Sequence, residues 1–120
     1  MSNKQRKQME ISIIRQARCA EEAFKILKAA SRVTGLSQDE ILIRGQKKPN
    51  CWIRALCYYI LRNKGYSIYA IGYVFGRPPQ CVSAVLKRIT SSGFSKEVTE
   101  MYLRIQGALR EDARGMQTKT

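Results

Sequence analysis

Gln80, Ser83 and Lys87 stand three and four residues apart, a spacing that stacks side chains on one face of a helix. Their chemistry is that of reading nucleic acid. A glutamine amide can hold an adenine edge through two hydrogen bonds, a serine hydroxyl donates and accepts, and a lysine ammonium donates to guanine or phosphate. Ala84, beside them, offers a methyl group that suits the methyl of thymine. These four are the expected base contacts. Lys47, Lys48, Arg54, Arg62, Lys64, Arg77 and Arg88 are the expected backbone contacts. Cations of this kind hold phosphates and so set register without reading sequence. Trp52, the only tryptophan, is expected at the edge of the core rather than against a base.

Other chemistry finds little support. The chain has no histidine, its carboxylates lie away from the stretch just described, and none of its four cysteines has a general base in view. Cys19, Cys51, Cys57 and Cys81 form no C-x-x-C pair, so neither a zinc centre nor another metal site is expected. Reduced, mostly buried thiols are the expectation instead. The chain is read as a non-enzyme with no cofactor and no small-molecule substrate. No apolar run approaches the ~18–20 residues that span a bilayer, and no signal-type apolar segment follows the charged N-terminus. A membrane partner is therefore not expected, and the expected location is cytoplasmic: on the nucleoid, or in a host's cytoplasm if the chain comes from a phage.

Charge points to the partner. The 120 residues carry a net charge of +13, which sets up a strong positive field. Every Asp and Glu lies at or before Glu40, or at or after Glu97. The span between holds the candidate contacts together with Arg44 and Lys96. A solvated surface ordinarily mixes signs, so a long stretch free of carboxylates suits a polyanion.

The elements that must position these side chains follow from periodicity and punctuation. Ile71, Val74 and Phe75 suit one short helix and Val82, Val85, Leu86 and Ile89 a second. Gly76 ends the first, Pro79 suits the first turn of the second, and Gly72 is placed for close approach to a partner helix. Gly72, Gly76 and Val82 occupy the small, turn and apolar slots of a helix-turn-helix over 67–89. Before it, a helix over about 51–64 carries Ile53, Leu56, Cys57, Ile60 and Leu61, with Gly65 closing it and Ser67 capping the next. Ser37 and Glu40 form a capping box for a short helix. Apolar residues at helical spacing occupy both flanks: Ile13, Ile14, Ala17, Ala20, Phe24, Leu27 and Ala30 on one side, and Val98, Met101, Tyr102, Ile105 and Leu109 after Ser95 on the other. The expected fold is all-α, with about six helices.

From Ala29 to Ile89, about half of the chain, the sequence resembles the C-terminal DNA-binding domain (domain IV) of the bacterial replication initiator DnaA, a Trp-repressor-like helix-turn-helix. The likeness is carried by TGLSQDEIL at 34–42, the basic loop at 46–49, RALCYYIL at 54–61, and Gly65-Tyr66-Ser67. It continues in Ile71-Gly72, Val74-Phe75-Gly76-Arg77, Val82 and Lys87-Arg88-Ile89. The resemblance implies a recognition helix, here 79–89, in the major groove and a basic loop, here Lys47 and Lys48, on a neighbouring minor groove or phosphates. It also implies that Arg77 stands at the family's turn arginine. Two departures bear on specificity. The family's Gly-Gly-Arg turn is a single Gly76 before Arg77, and its Asp-His-Thr-Thr signature is Pro78-Pro79-Gln80-Cys81, so the family's target sequence does not carry over. There is no Walker-type loop and no length for an ATPase module.

The expected organisation is a flexible basic stretch at 1–9, one helical DNA-binding domain over 10–114, and a disordered tail at 115–120. The expected function is sequence-specific binding of double-stranded DNA, in a small regulator of transcription or replication. A protein-interaction adaptor that keeps the helix-turn-helix as scaffold is the alternative, as is an RNA-binding protein. The flanking helices are expected to extend the core or to hold a homodimer or protein partner.

Overall fold

Alanine, lysine, arginine, glutamine and glutamate make up about half of the first third of the chain, and all are strong helix formers. The computed structural model accordingly opens with one long helix. It describes residues 3–43, 48, 50–91 and 93–117, with the side chains of 8–12 and 115–117 outside that description. Within it are six helices: α1 (Asn3–Thr34), α2 (Gln38–Leu42), α3 (Asn50–Asn63), α4 (Ile68–Phe75), α5 (Pro79–Ser91) and α6 (Lys96–Gln117). No strand occurs among the described residues, and the fold is all-α. No helix is long and apolar enough to cross a membrane among these residues.

The capping signals act where the sequence places them. Ser37 Oγ accepts the Glu40 N–H at 3.1 Å while Glu40 Oε1 accepts the Ser37 N–H at 3.4 Å, closing the capping box of α2. Ser95 Oγ accepts the Val98 N–H at the start of α6. Three ends differ from expectation. α1 begins at Asn3 rather than near residue 10, because Lys, Gln, Arg and Met extend a helix at little cost once it is nucleated. α5 runs on to Ser91, with the Thr90 hydroxyl bonded back to the Leu86 carbonyl at 2.7 Å. α6 passes through Gly115 to Gln117, into the stretch expected to be a tail.

α3 forms the centre of the core. Ile53, Leu56 and Leu61 on it are fully buried, facing Ile26 of α1, Ile41 of α2, Ile71 of α4, Val82 of α5 and Ile105 of α6 within one cluster. Cys57 is buried there too, and burial pushes its thiol up to about 12, so it stays protonated and structural. α6 belongs to this core rather than standing apart. Tyr59 of α3 meets Phe94 and Tyr102 edge-on, with ring centroids 5.0 and 5.8 Å away, and Arg32 of α1 holds Asp112 at 2.7 Å.

On α1 the buried face is only partly the expected one. Leu27 and Ala30 point inward as expected, joined by Cys19, Ala23, Ile26 and Ala29, while Ile13, Ile14 and Phe24 are 61%, 52% and 58% exposed. Two stripes share this helix, and periodicity weights the one with larger side chains. Packing selected the other, because cysteine and alanine let helix axes approach closely.

Candidate nucleic-acid interface

The joint between α4 and α5 is built from its backbone outward. Ser67 Oγ accepts the Ala70 N–H at 3.1 Å, starting α4. Gly76 ends it in the left-handed region at φ 64°, where a side chain is disfavoured. The chain then doubles back so tightly that the Arg77 N–H donates to the Gly72 carbonyl at 2.8 Å. A Cβ on Gly72 would lie 2.5 Å from the Arg77 carbonyl oxygen. Gly72 is therefore required by the turn itself, not by a neighbouring helix as its spacing suggests. Pro78 offers its carbonyl to the N–H groups of Cys81 and Val82, and Pro79 opens α5 without leaving an N–H unpaired. Val82, fully buried, pins the new helix to the core.

With Val82 inward, the four expected base contacts come together. Gln80, Ser83, Ala84 and Lys87 all line a shallow groove of about 370 Å³ between α5 and the start of α4. Gln80, Ala84 and Lys87 are exposed and Ser83 is half-buried. Tyr69, 70% exposed, lines the same groove and was missed from sequence, as was Tyr73 at 71%. Their signal is a pair of tyrosines spaced by four on an otherwise apolar helix. A phenol hydroxyl on such a surface can donate to phosphate.

Another side of α5 borders a larger cleft of about 780 Å³, walled by α3, α5 and the start of α6. Lys48, Arg54, Arg77 and Arg88 line it, and among the described residues no Asp or Glu does. Trp52, Tyr58 and Phe94 supply aromatic surface, and Lys48 Nζ sits 5.2 Å from the Trp52 ring centre. Trp52 packs half-buried at the core's edge, in its expected place. Burial pushes the Tyr58 phenol up, while the neighbouring Arg77 and Arg54 guanidiniums pull it down, so both charges are felt at that hydroxyl. Arg54 is 8% exposed, a wall of the cleft rather than a projecting contact.

Two other expected phosphate contacts stand elsewhere. Arg62 donates to the Tyr66 carbonyl at 3.0 Å, and Lys64 pairs with Glu22 of α1 at 3.2 Å. Lys47 lies outside the described residues. Acids meanwhile serve as internal ties: Glu22 to Lys64 and Lys25, Glu111 and Asp112 to Arg32, and Glu40 within its capping box. No group of three or more His, Cys, Asp or Glu that could hold a metal occurs among the described residues. Compared with known proteins, the chain matches no family model, no curated protein and no solved structure.

Proposed function

We propose that this chain binds double-stranded DNA sequence-specifically, as a small regulator of transcription or replication, with α5 in the major groove. One observation carries the reading: α5 lies between a groove that gathers Gln80, Ser83, Ala84 and Lys87 and a cleft lined, among the described residues, by four cations and no carboxylate. A helix with side chains is about 10–12 Å across and the major groove about 12 Å wide, so α5 fits it. In that position Gln80 and Ser83, in the first turns of α5, meet base edges, and Lys87 follows one turn later. Lys48, Arg77 and Arg88 take phosphates and set the register. Arg54 adds positive potential from the cleft wall. The tight Gly72–Arg77 turn holds Arg77 and the start of α5 in one geometry, which limits the entropy lost on binding.

The reading agrees with the likeness to the initiator's DNA-binding domain, while Pro78-Pro79-Gln80-Cys81 in place of that family's base-reading signature implies a different target. The deciding experiment is a titration against duplex DNA, single-stranded DNA and RNA of matched length across a salt series. Duplex should bind best. With about five phosphates engaged, log K should fall against log salt with a slope near −4 to −5, at ~0.9 per phosphate. Preference for RNA would favour the RNA-binding alternative. Absence of binding to any nucleic acid at low salt would favour the adaptor.

A further inference from the structure

α1 spans 32 residues, about 48 Å at 1.5 Å per residue, against a longest molecular extent of 50 Å. Among its described side chains none before Cys19 is buried. The overhanging half is nonetheless not polar all round. Ile13, Ala17, Ala20 and Phe24 are all exposed and recur at intervals of four, three and four, the spacing of a helix–helix seam, with Ile14 at its margin. Among the described residues nothing covers this face, and an uncovered apolar stripe of this kind marks a contact surface.

We infer that the chain self-associates through this stripe, with α1 pairing antiparallel to α1 of a second copy about a two-fold axis between Ala17 and Ala20. A second copy fits because the stripe is complementary to itself when reversed. An isologous contact demands this of a surface. Reversal sets Ile13 against Phe24 of the second copy and Ala17 against its Ala20, so large residues pack at the two ends and small ones at the centre. Alanines there let the axes approach within or below the usual ~8–10 Å. Between Ile13 and Phe24 the helix carries Arg15 and Arg18 with Glu21 and Glu22, so that this stretch of sequence has no net charge in a chain of +13. Two strongly basic molecules can meet there without the repulsion that opposes contact elsewhere. The inference does not depend on the DNA reading.

Sedimentation of the full chain without DNA, from low to high micromolar concentration, tests it. The expected result is a reversible monomer–dimer equilibrium. Phe24→Glu and Ile13→Glu change exposed positions, so each should give a monomer with unaltered helix content by circular dichroism. Ile13→Glu combined with Phe24→Lys should recover part of the affinity, because the antiparallel pair sets these two positions against each other. A monomer at every concentration, or a dimer that survives both apolar substitutions, overturns the proposal. Failure of the paired Ile13→Glu and Phe24→Lys substitutions to recover any dimer overturns the antiparallel arrangement.

Discussion

Gln80 and Lys48 border α5 from different sides, and their loss should register differently. On the proposed DNA-binding function, a glutamine or serine on the groove face would discriminate between bases, whereas a lysine at the cleft would meet a phosphate present in every duplex. Gln80→Ala or Ser83→Ala should cost about 1–3 kcal/mol on the preferred site and relax preference at one or two positions. Lys48→Ala should weaken all duplexes alike and flatten the salt slope by about one. Selection from random duplexes, followed by salt titration of each variant, separates the two effects. The groove residues were legible in sequence because helical register is local: three- and four-residue spacing places Gln80, Ser83 and Lys87 together whatever surrounds them. Arg54 and Lys64 were not. The first lies in a cleft wall and the second is drawn to Glu22, 42 positions earlier in the chain, and neither outcome is written in its neighbourhood.

At the level of the α4–α5 pair, the turn is the element most exposed to a single substitution. Gly72→Ala would drive a methyl group to within 2.5 Å of the Arg77 carbonyl oxygen, backbone that cannot swing aside without moving the start of α5. Such overpacking costs about 1–3 kcal/mol. We expect thermal unfolding to shift by that amount, and duplex affinity measured well below the transition to fall as well, because the displaced Arg77 and Gln80 no longer share one frame. A stability loss with full affinity would show that the turn geometry does not set the binding surface. The caps at Ser37, Ser67 and Ser95 were all readable in advance, since each needs only a side-chain oxygen and an N–H three residues on.

For the molecule as a whole, the flanking helices are part of the core. α1 contributes Cys19, Ala23, Ile26, Leu27, Ala29 and Ala30 to it, and α6 contributes Val98, Ile105 and Ala108, with the Tyr59–Phe94–Tyr102 aromatic group tying α6 to α3. The sequence resemblance covers only 29–89, the helix-turn-helix and its two supporting helices, as if that stretch could stand alone. A 29–92 fragment instead loses most of that shared burial. At ~25 cal/mol per Å² of apolar surface the loss exceeds the margin by which a small domain is stable. The fragment should show no cooperative unfolding transition where the full chain shows one. A folded 29–92 fragment would mean that α1 and α6 are appendages.

Sequence alone determined the helical elements, their caps, the sharp α4–α5 joint and the face of α5 that carries Gln80, Ser83, Ala84 and Lys87. All of these depend on residues within about one or two helical turns of each other, and propensity, capping and periodicity act over that range. Tertiary structure decided which of the two stripes on α1 is buried. Cys19–Ala23–Ile26–Ala30 won over the larger Ile13–Ala17–Ala20–Phe24 because small side chains admit close helix packing, a property of the facing helices rather than of α1. It also decided that Lys48, Arg54, Arg77 and Arg88, from separate stretches of chain, line one cleft while Arg62 and Lys64 do not. Charge composition fixes how many cations exist; only the crossing of α3, α5 and α6 decides which of them share a surface.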